Sequence, residues 1–164
     1  MNLCQPFDFL TVEECQHLLE QVGELNQGQV VNGRPQGIRT NSVYWWTPPE
    51  AWSDRLWELA RPYYKEYNLT WMWKPWQISL YAPGEFYDWH IDTYSGQGRK
   101  SIRSLTFTMS LQGAKDAVLE FESGLVELAT GQGVFFPSTQ NHSAWNRGTN
   151  DRWALTIWYM QPVV

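Results

Sequence analysis

The sequence predicts a mainly β fold, a double-stranded β-helix or jelly roll buttressed by two N-terminal helices. Helical periodicity with a capping signal occupies the first part of the chain. From Trp71 onward about eight short β-rich runs follow one another, separated by Gly, Pro and Asn turn signals. A run of helices and then a run of strands points to a sandwich or jelly roll with helical support. At 164 residues the chain suits one domain with its own core. We therefore expect one domain over 1–164, with 1–70 as helical support and 71–164 as the jelly-roll core.

Phe7 to Leu10 reads as a short opening strand. Thr11-x-x-Glu14 has the form of a capping box, and Cys15, Leu18, Leu19, Val22 and Leu25 recur at helical spacing behind it. Gly28 to Gly37 reads as a loop and Arg39 to Trp46 as a strand. Pro48-Pro49 opens a second helix, with Trp52, Leu56, Leu59 and Ala60 on one stripe, and Pro62 ends or interrupts it. The β-rich runs are Trp71–Tyr81, Phe86–Asp92, Arg103–Leu111, Ala117–Phe121, Leu125–Leu128, Gly133–Phe136, His142–Trp145 and Arg152–Gln161.

A net charge of −5 with scattered Lys and Arg does not make a phosphate-binding surface, so nucleic acid is not an expected partner. No apolar run approaches a membrane span and no signal-peptide pattern opens the chain, which sets the expectation of a cytoplasmic protein without membrane contact. Cys4 and Cys15 have no CxxC spacing and read as reduced thiols. The oligomeric state is not legible.

His90-Ile91-Asp92 is the sharpest local signal. On an extended backbone the imidazole and carboxylate point to one face. With one further histidine they form a two-His, one-carboxylate set that leaves open metal positions for substrate and dioxygen. The chain holds three histidines. His17 falls on the first helix off its apolar stripe, which leaves His142. A His-x-Asp triplet alone is equally a hydrogen-bonded pair, so context decides. Gln77, Ser79 and Tyr81 share one strand face; so do Thr106, Thr108 and Ser110, and so do Arg152, Ala154, Thr156 and Trp158. Turned inward these faces line a ligand chamber; turned outward they meet solvent.

The ordered set Tyr81-x-Pro-Gly-x-x-Tyr87-x-x-His90-x-Asp92, Arg103-x-Leu105-Thr106, Leu119-x-Phe121, Gly133-x-Phe135-Phe136-Pro137, His142 and Arg152-x-Ala154-x-Thr156-x-Trp158 resembles the Fe(II)- and 2-oxoglutarate-dependent oxygenases of the prolyl 4-hydroxylase-like branch. The resemblance implies Fe(II) on His90, Asp92 and His142, with 2-oxoglutarate as cosubstrate and dioxygen as oxidant. It implies that Arg152 pairs with the distal carboxylate of 2-oxoglutarate, helped by Tyr81, Thr156 and Ser110. Tyr87, Trp158, Arg103 and Gln77 fall on the substrate side. Asp92 in the carboxylate position implies hydroxylation rather than halogenation.

Three departures stand out. Gly113-Ala-Lys-Asp-Ala replaces a Gly-Gly common among relatives, Ser110 stands near where some prolyl hydroxylases carry Tyr, and Arg152 stands where prolyl 4-hydroxylases proper often carry Lys. The expected substrate is a prolyl residue in a peptide or protein. The alternatives are a free amino acid or small metabolite, and a non-catalytic cupin-type protein that binds metal and carboxylate. The Gly-rich stretch Thr93–Ser101 is expected to act as a substrate lid or to form an ordinary hairpin.

Overall fold

The computed structural model describes residues 2–28, 39–94, 98–113 and 117–163. Strand β1 (Phe7–Asp8) leads into helix α1 (Val12–Leu19), then β2 (Asn26–Gln27), β3 (Ser42–Trp46) and helix α2 (Glu50–Ala60), which runs into a 3-10 turn at Arg61–Tyr63. The remaining strands are β4 (Trp71–Met72), β5 (Trp76–Tyr81), β6 (Phe86–His90), β7 (Ser101–Gln112), β8 (Ala117–Phe121), β9 (Gly124–Val126), β10 (Gln132–Pro137), β11 (His142–Asn146) and β12 (Arg152–Pro162).

The capping box closes as expected: Glu14 N–H donates to Thr11 Oγ1 at 3.1 Å and Thr11 N–H to Glu14 Oε1 at 3.0 Å. Such a cap contributes about 1 kcal/mol. An isolated helix of this length is marginal, so α1 is held mainly by its buried Cys15 and Leu18. Pro49 occupies the N-cap of α2, and Ser53, Leu56 and Ala60 form its buried face.

Two antiparallel sheets result. The larger has the order β1-β10-β7-β12-β5-β3-β2, with β4 added against β12; the smaller has the order β6-β11-β8-β9. Alternation sorts the long strands into two faces. Leu105, Phe107, Met109 and Leu111 of β7 and Leu155, Ile157 and Tyr159 of β12 pack with Leu18 and Leu56 of the helices in one core. The opposite residues of those strands face the smaller sheet. Tyr159 also ties sheet to helix, donating its hydroxyl to the Leu56 carbonyl at 2.9 Å. Gly131 has φ +89°, and a Cβ there would meet the Leu10 carbonyl oxygen at 2.1 Å, so only glycine lets the chain receive the Phe9 and Leu10 N–H groups at this corner.

Several expected runs are shorter than the sequence suggested: Phe7–Leu10 pairs only over Phe7–Asp8, Arg39–Trp46 only over Ser42–Trp46, and Leu125–Leu128 becomes Gly124–Val126. Trp71–Tyr81 divides into β4 and β5 around Pro75, which has no N–H for a ladder. The run toward Asp92 leaves the sheet after His90, because the Asp92 and Thr93 N–H groups both turn to the Ser138 carbonyl, at 2.8 and 2.9 Å. The N-terminal part supplies β1, β2 and β3 to the large sheet as well as the helices. The expected Gly28–Gly37 loop lies almost wholly outside the described residues, as does part of Thr93–Ser101. No helix among the described residues is long and apolar enough to cross a membrane.

Candidate functional site

His90 ends β6 and His142 begins β11, and the antiparallel register sets their Cα atoms opposite each other. Asp92 follows two residues later. Ile91 between them is 36% exposed while His90 and Asp92 are buried, so the alternation that brings the two side chains to one side survives the end of the strand. Asp92 Oδ1 lies 3.2 Å from His90 Nε2 and 3.4 Å from His142 Nε2. One ligand atom from each residue falls within a 4.8 Å cluster, the only such group of His, Cys, Asp or Glu among the described residues.

Each imidazole is aimed by its other nitrogen. His90 Nδ1 donates to the Asp88 carbonyl at 2.7 Å and His142 Nδ1 to the Gln140 carbonyl at 2.8 Å. A carbonyl only accepts, so in the neutral rings the proton sits on Nδ1 and the Nε2 lone pair faces the cluster. Tyr87 stacks on the His90 ring at 3.5 Å between centroids, and Phe136 meets the His142 ring edge-on at 4.7 Å.

The second carboxylate oxygen of Asp92 is held separately. Thr106 Oγ1 donates to Oδ2 at 2.8 Å and Trp158 Nε1 at 3.1 Å. Burial pushes the Asp92 carboxyl up, but the His142 and His90 imidazoles outweigh it and hold it well below the usual carboxylate range. Burial pushes both imidazoles down; Asp92 outweighs this at His142, which sits above its ordinary value, whereas His90 sits below. Once both Nε2 atoms are deprotonated, this anionic oxygen and the two imidazole nitrogens form a donor set that suits a divalent first-row metal.

These atoms open into a cavity of about 350 Å³ between the sheets, within the size range of small-ligand sites. The polar strand faces do turn inward: Gln77, Tyr81, Thr108, Arg152, Ala154, Thr156 and Trp158 line it. Arg152 is 5% exposed, its Nη1 has no hydrogen-bond partner, and its guanidinium carbon lies 5.3 Å from the Tyr81 ring centre. Burial pushes its pKa down. A buried guanidinium with an unused donor is costly unless an anion completes it, so the cavity fits a carboxylate-bearing ligand next to the metal set. Thr156 and Thr108 share a 3.1 Å hydroxyl contact. Ser110 stands opposite Ala154, buried, with its hydroxyl also unpartnered, on the same face of β7 as Thr108, but it is not among the residues that line the cavity.

Tyr87, Trp158, Arg103 and Gln77 all line the cavity. The Arg103 guanidinium lies over the Trp158 ring, 3.6 Å from its centre, and donates to the Asp92 carbonyl oxygen at 3.4 Å. Gln77 Oε1 accepts from Arg39 Nη2 at 3.1 Å and from Ser79 Oγ at 3.3 Å. Arg39 and Trp45 are lining residues that the sequence reading did not single out as site residues. Arg39 also stacks over Tyr87 at 4.4 Å. Its one sequence signal is Asn41 two residues on, which accepts from Arg39 Nε at 2.7 Å.

The chain resembles several solved prolyl hydroxylases. A collagen prolyl hydroxylase of Paramecium bursaria Chlorella virus 1, in complex with 2-oxoglutarate, superposes with a TM-score of 0.72 at 17% identity, covering 96% of this chain and 95% of that one. A Pseudomonas putida prolyl-4-hydroxylase gives 0.70 at 20% identity, covering 96% and 91%. A Trichoplax adhaerens prolyl hydroxylase, in complex with a hypoxia inducible factor oxygen degradation domain peptide fragment, gives 0.66 at 19% identity, covering 90% and 75%. No curated protein matches the sequence. The family model of the 2OG-Fe(II) oxygenase superfamily matches residues 76–160, more than half of the chain and all the strands that carry the cavity's polar walls. With that match and this site, the chain belongs to the 2OG-Fe(II) oxygenase superfamily and is a 2-oxoglutarate-dependent dioxygenase using Fe(II) and dioxygen.

Proposed function

We propose that the chain hydroxylates a prolyl residue in a peptide or protein, with His90, Asp92 and His142 as the iron ligands and Arg152 as the cosubstrate anchor. The observation that carries the proposal is that the inward-facing atoms of the triad and the incompletely partnered guanidinium of Arg152 line one cavity. Iron(II) with 2-oxoglutarate, when bound, supplies dioxygen activation that couples decarboxylation to succinate with hydroxylation of a C–H bond.

The chain's own residues prepare that chemistry. The Asp88 and Gln140 carbonyls keep both Nε2 lone pairs available. Thr106 and Trp158 occupy Asp92 Oδ2, which leaves Oδ1, between the two imidazoles, as the oxygen that would hold the metal. Arg152 offers its planar fork to the distal carboxylate, and Tyr81 and Thr156 form the walls beside it. Ser110, on the same face of β7 as Thr108, is a further unpartnered hydroxyl.

The prolyl substrate is supported by the fold-level likeness to three prolyl hydroxylases, one of them holding a peptide. It is supported also by the mouth of the cavity, where Trp45 is 42% exposed and packs against Trp158 at 6.1 Å between centroids. Exposed aromatic faces of this kind grip extended and proline-rich peptides. Iron-loaded protein incubated with 2-oxoglutarate and a peptide library should form succinate in step with a 16 Da gain on proline-containing peptides. Gain on free amino acids alone would move the substrate to that class.

A further inference from the structure

We infer that Arg103 forms a second carboxylate-binding subsite in this cavity, for an acidic group that the substrate carries close to the carbon to be hydroxylated. The inference deepens the peptide reading and rests on it: the group is the side chain of an Asp or Glu flanking the target residue.

The cavity is richer in cationic groups than its cofactors require. The chain is acidic overall, with eight arginines, yet three of them, Arg39, Arg103 and Arg152, line this one space. Formal charges place Arg103 outside the cofactor set. Asp92, a divalent iron, a doubly charged 2-oxoglutarate and Arg152 balance one another, which leaves the charges of Arg39 and Arg103; Arg39 donates to Asn41 and Gln77 and stacks on Tyr87, so Arg103 is the one with more donors to offer a further ligand.

The Asp92 side chain does not serve as that ligand's substitute. Its Oδ1 lies between the two imidazoles and its Oδ2 accepts from Thr106 and Trp158, while Arg103 reaches only the backbone carbonyl of Asp92. Among the described residues no carboxylate side chain forms a salt bridge with Arg103. Among the described residues its one hydrogen bond is the 3.4 Å contact to that carbonyl, whereas a guanidinium has five N–H donors. The group is nevertheless fixed in place. The Trp158 ring lies under it at 3.6 Å and the Tyr94 ring at 5.6 Å, and Arg99 sits over the same Tyr94 ring at 4.3 Å. A cation held 3.6 Å over an indole, with most of its donors unspent among the described residues, is organised to receive a carboxylate through its planar fork. Trp158 also touches Asp92, so a carboxylate on Arg103 would sit within a residue or two of the metal-facing carbon of a bound peptide.

The test uses the iron-loaded wild-type chain and blocked peptides that carry one proline, with Glu or its isostere Gln at each flanking position. Succinate release, the 16 Da product and calorimetric binding are measured together. At one position Glu should exceed Gln by about 10-fold or more in kcat/KM, mostly through KM. Arg103→Gln should erase that preference, and Arg103→Glu should shift it toward a Lys peptide. Equal use of Glu and Gln peptides would overturn the subsite while leaving prolyl hydroxylation intact. A higher KM for 2-oxoglutarate in Arg103→Gln, with the peptide KM unchanged, would overturn it too, by making Arg103 a cosubstrate contact. Turnover of free amino acids alone would instead defeat the peptide reading. The acid and its amide then decide the subsite: a preference for the acid that Arg103→Gln removes supports it, and equal turnover overturns it.

Discussion

Trp158 donates its indole N–H to Asp92 Oδ2 at 3.1 Å, across 66 residues of sequence, and so fixes the carboxylate that faces His90 and His142. Thr106 donates to the same oxygen, which leaves Oδ1 alone directed at the two imidazoles. Trp158 therefore positions the Asp92 carboxylate within the His90–Asp92–His142 cluster and is also a wall of the cavity.

Removing that donor should loosen the metal without dismantling the ligand set. Trp158→Phe keeps an aromatic ring and loses the N–H; Thr106→Val keeps the shape and loses the hydroxyl. Each should weaken divalent-metal binding by about 10- to 100-fold, as partners behind a ligand generally do. Anaerobic titration with Co(II), read by its visible spectrum, measures this. Wild-type affinity in both variants would show that Asp92 needs neither donor.

Arg152 is a buried cation with an unused donor, so its contribution to stability should change sign with the cosubstrate. Arg152→Met should leave the ligand-free protein as stable or more stable, by up to about 4 kcal/mol, because a desolvated charge is replaced by an apolar chain of similar length. It should also abolish the thermal shift that 2-oxoglutarate gives the wild type. Arg152→Lys should weaken cosubstrate binding through loss of the fork. Thermal melts with and without 2-oxoglutarate test all three statements.

The junction of helix and sheet carries a prediction of its own. Tyr159 is fully buried and its hydroxyl satisfies the Leu56 carbonyl in α2. Tyr159→Phe removes the donor and leaves that carbonyl without it, so urea unfolding should lose about 1–3 kcal/mol. A change within a few tenths of a kcal/mol would mean that another donor takes over.

Burial raises the Cys15 thiol to about 11, with Glu14 adding to the shift, whereas Cys4 is only partly covered. The folded state holds the Cys15 proton more tightly than the unfolded chain. Its contribution to stability is thus complete below the ordinary value of 9.0 and is lost as pH rises toward about 11. At pH 8 an alkylating reagent should modify Cys4 first and Cys15 only on unfolding. Peptide mapping of the labelled protein would contradict this if Cys15 reacted as fast as Cys4.

Much of this architecture is legible in the sequence because long strands alternate strictly. Leu105 to Leu111 and Arg152 to Trp158 sort into an apolar and a more polar face by period alone; the structure turns the first to the helices and the second to the cavity, and the register of β7 with β12 sets Thr156 beside Thr108. His90-x-Asp92 could be read for the same reason, although the strand itself stops at His90. Two-residue strands such as β2 and β4 leave no periodic trace, and Pro75 divides a run that composition alone makes continuous. Arg39 was not legible as a site residue because its place depends on partners distant in sequence: Gln77 and Tyr87 meet it only once β3, β5 and β6 have assembled. The bond from Trp158 to Asp92 is hidden likewise, since spacing gives a face but not what that face touches.

The central claim is that His90, Asp92 and His142 together hold iron, and anaerobic Fe(II) binding by the wild type and by the His90→Ala, Asp92→Ala and His142→Ala variants tests it most directly. One equivalent bound by the wild type, and binding lost in each variant with the circular dichroism of the fold retained, is the expected result. Undiminished Fe(II) affinity in any one of the three folded variants would contradict it.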